Sequence, residues 1–356
     1  MKRLQPICLI CVLLILTSCN SLKKHKSQYR FQITKLKEPK YMVKAHIIEL
    51  KINEPISWLS DIETINNKIL VVSPDSTEMI KIINPETGTI LKSFGRKGQA
   101  PEEFIGHPSI IKDPLDEHSF WLYDLTTSKL KKYNINQVLN GRVKPINIIG
   151  NLSFFFHLTI LPDYSVAGIG YFADARIKIK KKNGEIINLG NPPVKTDHYL
   201  KQHSQGYDGN LIFLPKQKDI IITTIWGGLI ERYNIEKGFK YSYLISEGFF
   251  PAYRIVKTTD GAHWTLSKES KIGIIDAKFL RKDNKIYMLF SGNKVVPGRY
   301  SEKESAKTIY VFDPQKNKLT EKIILSQGLN GFCILNNSGK RVIYGYADNK
   351  IFKILP

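Results

Sequence analysis

The sequence predicts an all-β chain folded as a six-bladed β-propeller, its ring closed by an N-terminal strand pairing with the last blade. Three observations lead there. Short runs rich in Ile, Val, Tyr and Phe recur, bounded by Asn, Asp, Gly, Pro and Lys, with no sustained helical apolar period. Many runs are apolar on both faces: Ile286-Tyr287-Met288-Leu289-Phe290 has no polar alternate position, and Ile220-Ile221-Ile222 behaves likewise. Such strands need a sheet covered on both sides, which radially stacked small sheets provide while hiding most edges. Finally, strand–turn–strand units recur at roughly the 40–50-residue spacing of propeller blades.

Taken in order, the units span residues 55–98, 105–150, 153–195, 203–248, 250–325 and 328–356. The first holds Asn67-Lys68-Ile69-Leu70-Val71-Val72 and then Ile80-Lys81-Ile82-Ile83-Asn84-Pro85, where proline stops the ladder and fixes the bend. Phe120-Trp121-Leu122-Tyr123-Asp124, Arg176–Lys180 and Leu229–Asn234 mark the next three. The fifth repeats the proline turn at Val311-Phe312-Asp313-Pro314, and its length is assigned to an insertion at Gly292–Ala306. The sixth, around Arg341–Tyr346, lacks an outer strand, while Val43–Leu50 is a strand with no blade of its own. Pairing the two closes the ring and removes an exposed edge.

Residues 1–18 read as a signal peptide: Lys2 and Arg3, an apolar run from Ile7 to Leu16, then small residues before Cys19. The run is too short for a permanent transmembrane helix, which needs about 20 apolar residues. Leu16-Thr17-Ser18-Cys19 resembles the bacterial lipobox at all four positions. That resemblance implies cleavage before Cys19 and acylation of its thiol and new amine, so the membrane is an expected partner through lipid. Residues 19–42 are expected to be the lipidated cysteine and a flexible tether, with the propeller from 43 to 356. Cys8 and Cys11 leave with the signal, so Cys333 is the body's remaining cysteine and no intramolecular disulfide is expected.

The formal net charge of +21 favours anionic partners. The clusters Lys131-Lys132, Lys180-Lys181-Lys182 and Arg281-Lys282 are expected in turns as solvated loop lysines. They lack the aromatic-interleaved pattern of a single-strand groove, so no nucleic-acid partner is expected.

Chemistry is sparse in the sequence. The eight histidines form no HExxH or HxH pair, and no metal or cofactor is expected. His157 and His263 read as core or loop residues. No GxSxG elbow is present, and Cys333 in Gly331-Phe332-Cys333-Ile334-Leu335 reads as a buried apolar residue. A glycosidase would need two carboxylates across the central funnel, for which Asp61, Asp124, Asp163, Asp174 and Asp260 are available. Aspartate also serves turns, and no catalytic residue is assigned.

Two segments carry a family resemblance. Ser93-Phe94-Gly95-Arg96-Lys97-Gly98-Gln99-Ala100-Pro101-Glu102-Glu103-Phe104 resembles the FGxxGxGPxEF loop of six-bladed, TolB-like propeller lipoproteins of gut Gram-negative bacteria, with Ala100 where that family has glycine. Gly168–Arg176 resembles a second recurrent stretch of the group. The resemblance implies fold and export but no settled activity. In that group, acidic residues directly after the cysteine accompany surface export; their absence here points to an outer-membrane lipoprotein facing the periplasm, with surface exposure left open.

The expected function is therefore a non-enzymatic, monomeric binding module held at the envelope, its partner a glycan or an envelope protein. The alternatives are a carbohydrate-active enzyme using the funnel and a scaffold of an envelope complex. Tyr171, Asp174, Arg176, Trp226, Tyr253, Arg254 and Trp264 are the ligand candidates, since flat aromatic faces and forked arginines suit sugars and anions. For Asp174 and Arg176 a blade-to-blade ion pair stays equally open.

Replacing the lipid-bearing residue tests the anchor. Cys19→Ala is expected to abolish incorporation of an alkyne fatty acid and to release the protein from membranes; undiminished label on the variant would overturn the assignment.

Overall fold

The computed structural model of the chain describes residues 29–195, 201–295, 305–337 and 340–355. The expected signal peptide, Cys19 and residues 20–28 lie outside them, as do residues 296–304 of the expected insertion.

Two strands precede the blades: β1 (Thr34–Lys35) and β2 (Tyr41–Glu49). Blade one is β3 (Asp61–Ile65), β4 (Lys68–Val72), β5 (Ile80–Ile83) and β6 (Ile90–Phe94). Asn66 and Asn67, both at positive φ, make the two-residue turn that matches strand twist between β3 and β4. Blade two is β7 (Ser109–Lys112), β8 (Ser119–Asp124), β9 (Lys129–Asn134) and β10 (Asn147–Ile149). A short helix, α1 (Ile135–Leu139), follows β9 and is capped by the Asn134 side chain. Blade three is β11 (Phe155–Ile160), β12 (Val166–Gly170), β13 (Ile177–Lys180) and β14 (Ile186–Leu189).

One turn of helix, α2 (His203–Gly206), leads into blade four: β15 (Gly209–Leu214), β16 (Asp219–Thr224), β17 (Leu229–Asn234) and β18 (Gly238–Leu244). A separate hairpin, β19 (Tyr253–Thr258) and β20 (Gly261–Leu266), comes next. Blade five is β21 (Ile274–Leu280), β22 (Lys285–Phe290), β23 (Ala306–Asp313) and β24 (Lys318–Leu329). Blade six has β25 (Gly331–Asn337), β26 (Lys340–Ala347) and β27 (Lys350–Leu355). Its outer strand is the second half of β2, where His46–Glu49 pair antiparallel with Phe352–Leu355.

The two-faced strands do what their pattern requires. Ile286, Met288 and Phe290 join the apolar cluster between blades four and five, while Tyr287 and Leu289 join the one between five and six. Ile221 packs towards blade five, and Ile220 and Ile222 towards blade three. Further clusters lie between blades one and two, two and three, and six and one. In the last, Cys333 is buried beside Ile62, Ile69 and Tyr344, as a small apolar side chain.

Three expectations need correction. The chain from Tyr29 onward is not a free tether, because it is stitched across three blades. Thr34–Lys35 pair parallel with Tyr243–Leu244 on the edge of blade four. Tyr41–Ala45 pair parallel with Glu321–Leu325 on blade five, so β2 joins the fifth and sixth blades into one eight-stranded sheet. Polar sequence concealed this, since an edge strand facing solvent on one side needs few apolar residues. The fifth unit is also long for a second reason: Tyr253–Leu266 is a hairpin outside the blade, preceding β21. Lys131 and Lys132 lie within β9 rather than a turn. Lys131 is buried over the Phe104 ring, and Lys132 pairs with Asp113 at 2.8 Å.

The glycine-rich loop is structural. Phe94 and Phe104 are buried at its stem, and its backbone closes on itself through Gly98 N–H to Phe104 O at 3.0 Å and Phe104 N–H to Arg96 O at 2.9 Å. Gly95 sits at φ +77°, where a Cβ would lie 2.4 Å from Ile80 Cδ1. Ala100 is accommodated with its N–H donated to Glu103 Oε2 at 2.9 Å.

Truncation separates tether from strap. Starting the mature chain at Tyr29 should leave its melting temperature unchanged, whereas starting it at Leu50 removes β1 and β2 and should lower it by many degrees. Equal melting temperatures would contradict the edge-sealing role of the strap.

Candidate functional site

The innermost strands β3, β7, β11, β15, β21 and β25 surround a central cavity of about 370 Å³. Strand periodicity sends alternate side chains into it. On β3 these are Asp61 and Glu63, and on β21 they are Asp276 and Lys278; both pairs line the cavity. Ser60, Ser109, Phe156, Asn210 and Asn330, at or just before the starts of inner strands, mark the mouth. At the far end Arg281 crosses from blade five to donate to the Asp113 carbonyl of blade two, opposite it, at 3.4 Å.

Ion pairs organise the interior. Buried Glu63 is 2.9 Å from Lys112 Nζ of blade two and 3.4 Å from Lys278 Nζ of blade five. Burial alone would raise the Glu63 pKa, but Lys112 and then Lys278 hold it below its usual range. Lys278 is also 3.4 Å from Asp276, whose Oδ2 accepts Phe332 N–H at 2.9 Å. Among the described residues Asp61 has no such cation in contact: Oδ2 accepts Ile110 N–H at 2.7 Å and Oδ1 accepts Ile62 N–H at 2.8 Å. Burial, opposed by Lys278 and the Ile110 bond and reinforced by Asp276 and Glu63, pushes Asp61 up to about 6. Asp61 therefore takes up its proton close to neutrality while Glu63 stays ionised. At the mouth His157 Nε2 lies 3.4 Å from Asp208, and this charge, then that of Asp61, raises the imidazole against the pull of burial.

The ligand candidates do not share one funnel. Arg176 is buried, with Nε 2.7 Å from Glu231 Oε2 and Nη2 donating to the Tyr207 carbonyl at 2.7 Å. Of the two readings open for it, the structure has the blade-to-blade ion pair, between blades three and four. Tyr29 completes that node, its hydroxyl donating to Glu231 Oε1 at 2.7 Å. Asp174 is exposed and bonds Lys178 and Asn188 on the outer half of blade three. Tyr171 stands at the rim, edge-on to Phe156 at 4.4 Å and bonded by Gln205. Trp226 and Trp264 come together, ring centroids 5.6 Å apart, beside the hairpin that also carries exposed Arg254. Tyr253 is buried there with its hydroxyl 2.8 Å from His203 Nδ1. Thus Tyr253, Arg254 and Trp264 are not on an inner strand.

Of the carboxylates weighed for catalysis, Asp61 lines the cavity. Asp124 instead accepts the Ile105, Gly106 and Thr126 N–H groups, Asp163 binds Ser165, and Asp260 binds Thr258 and His263. Sequence reasoning missed Glu63, Lys112, Asp208, Asp276 and Lys278, and placed His157 in core or loop. The signal was available in part: Asp61-x-Glu63 and Asp276-x-Lys278 put charge at alternate positions of the first strand of a unit, the pattern of a strand facing a wet axis.

A family model described as TolB-like 6-blade propeller-like matches residues 85–337. An exported protein of Bacteroides fragilis NCTC 9343 shares the fold at TM-score 0.53 and 12% identity, over 88% of this chain and 98% of that one. A member of the DUF4221 family from Bacteroides vulgatus gives 0.51 at 11%, over 92% and 96%. A protein of unknown function from Bacteroides thetaiotaomicron gives 0.52 at 9%, over 87% and 76%. No curated protein matches the chain.

The two arginines are expected to behave differently. Arg176→Ala should cost about 3–5 kcal/mol of folding stability, because it strands the Glu231 charge in the wall, whereas Arg254→Ala should stay within about 0.5 kcal/mol. Urea melts of both variants measure this; a near-neutral Arg176→Ala would place that side chain outside the wall.

Proposed function

The chain belongs to the TolB-like six-blade propeller-like family, and from that premise we propose that it is an exported, lipid-anchored binding module that holds a small polar ligand in the mouth of its central cavity without turning it over. One observation carries this reading. Carboxylates, amides, hydroxyls, an imidazole and an aromatic ring from all six blades converge on a single cavity of about 370 Å³, the size and mixture of small-molecule sites. Asp61, whose carboxyl is free of direct ion pairing, and His157 with Asp208 are the groups placed to meet the ligand. Phe156 supplies a flat apolar face at the same level.

Export and anchoring rest on the signal-like N-terminus and the Leu16–Cys19 lipobox resemblance, and accord with the description of the Bacteroides fragilis protein as exported. Binding is favoured over catalysis by the state of Glu63. Its oxygens are held by Lys112 and Lys278, which leaves it poorly placed to attack a substrate or activate water. A carbohydrate-active enzyme has one specific point in its favour: Asp61 and Glu63 titrate in opposite directions from their usual values, as an acid–base pair does.

A panel of monosaccharides, uronic acids and small amines, read by thermal shift and calorimetry on the mature chain, tests both readings. Ligands that bind should bind at least tenfold more weakly to Asp61→Asn and His157→Ala, and remain chemically unchanged on incubation. Consumption of a bound sugar, lost in Asp61→Asn, would establish the enzyme instead. Ligands indifferent to both substitutions would remove the cavity from consideration.

A further inference from the structure

Among the described residues, β19–β20 is a two-stranded sheet that pairs with no blade, so the ring itself does not explain it. Its register places Tyr253, Ile255, Trp264 and Leu266 on one face, and Arg254, Val256, His263 and Thr265 on the other. The first face belongs to a cluster with Tyr29, Tyr207 and Phe250. Tyr29 is the described residue nearest in sequence to Cys19, and it is fixed by Glu231, Ser242 and a bridge to Val194. The hairpin therefore stands directly beside the point where the chain arrives from the lipidated residue. The connection from Cys19 to Tyr29 spans at most about 36 Å, at about 3.6 Å per residue fully extended.

The second face is open. It carries exposed Arg254 and Val256, the latter 43% exposed; Lys257 shares the register of Ile255 and pairs with Ala262, but near the tip it too is exposed, and exposed Lys268 follows the hairpin. Asp260 at the tip is engaged by Thr258 and by His263 Nε2 at 3.2 Å, and exposed Glu269 follows Lys268, so Arg254, Lys257 and Lys268 outnumber the acids on and beside the hairpin. Cations flanking an apolar side chain, next to a lipid anchor, match the surface of a bilayer bearing anionic headgroups, where cations meet phosphate and the apolar group reaches the acyl boundary.

We propose that β19–β20 is a membrane-docking hairpin that seats the anchored ring on anionic phospholipid headgroups through Arg254, Lys257, Lys268 and Val256. Its nearness to a bilayer rests on the lipid anchoring argued above; its affinity for phosphate headgroups does not. Because Tyr29, Tyr207 and the hairpin lie at the end of the molecule where the inner strands begin, docking turns the mouth of the cavity towards the membrane.

The test uses the mature chain from Asn20 onward, which lacks the acyl groups and keeps every described residue. Co-sedimentation with vesicles of phosphatidylglycerol and phosphatidylcholine should show binding that weakens with salt and is absent on pure phosphatidylcholine. Arg254→Glu/Lys257→Glu/Lys268→Glu should reduce partitioning at least tenfold, and Arg254→Gln/Lys257→Gln should reduce it by less in the same direction. Lys316→Glu/Lys318→Glu, at the opposite end of blade five, should leave it unchanged. Equal losses from both ends would mean undirected attraction by the net charge, and would overturn the proposal. So would hairpin variants that partition like the parent, or that change the mass at sedimentation equilibrium instead, which would make the hairpin a contact between copies. Failure of acylation is read separately, by the fatty-acid label on Cys19, so the two ideas fall independently.

Discussion

A small sheet that is apolar on both faces has no stable existence alone, and the architecture follows from that constraint. Each four-stranded unit here leaves Ile, Val, Tyr and Phe on two sides, and burial of one such side chain contributes about 1.5–3 kcal/mol. Each blade therefore needs two neighbours, and a row of blades has unsatisfied faces until its ends meet. The cluster of Ile62, Ile69 and Val71 against Cys333, Leu335 and Tyr344 is that meeting point. Three hydroxyl bonds accompany it: Tyr346 to the Ser60 carbonyl, Tyr344 to the Pro85 carbonyl and Thr64 to the Ile334 carbonyl.

Outer edges pose the complementary problem, since an unpaired edge strand invites association. The N-terminal strap answers it on one half of the ring, running along the edges of blades four, five and six in turn. Its fastening is ionic as well as apolar. Tyr29 reaches through the wall to Glu231, which Arg176 also holds, and burial followed by the Glu231 charge keeps the Tyr29 phenol well above its usual pKa and a donor. One carboxylate thus joins blade three, blade four and the strap. A buried pair of this kind is a modest source of net stability but a costly thing to break, which suits a joint that sets register.

The fold was legible in the sequence because it is written in apolar side chains at local spacing. The blade limits expected at 105–150 and 203–248 differ from the observed strands by a few residues at either end, the uncertainty of turns. What was not legible depends on contacts distant along the chain. Arg176 and Glu231 are separated by 55 positions, and Tyr29 and Glu231 by 202, so nothing in either neighbourhood announces the node. The cavity was hidden for a related reason. Asp61, Lys112, His157 and Lys278 lie on four different strands, far apart in sequence, and only the radial arrangement brings them to one axis. Trp226, Arg254 and Trp264 show the opposite error: they have the composition of a ligand site, but the segment bearing two of them lies outside the blade it was counted in.

Closing the ring also decides where polarity is allowed. Blade faces exclude water, so charge inside the wall is paired, as in Arg176–Glu231 and Arg232–Asp219, the latter at 2.6 Å, or held by backbone donors, as Asp124 is. At the axis the inner strands diverge enough to leave space, and Asp61 remains there with backbone donors but no cation in contact. A carboxyl pushed up to about 6 binds its proton more tightly folded than unfolded, where it titrates near 3.9. Its stabilising contribution is therefore full below about pH 4 and is lost as pH rises through about 6. Neutral pH removes that contribution, and Asp61→Asn does not restore it, because both carboxyl oxygens accept backbone N–H groups and an amide has one acceptor oxygen. The ring thus carries at its axis a carboxyl held by backbone donors instead of a cation, which the space between the inner strands permits and the dry blade faces do not.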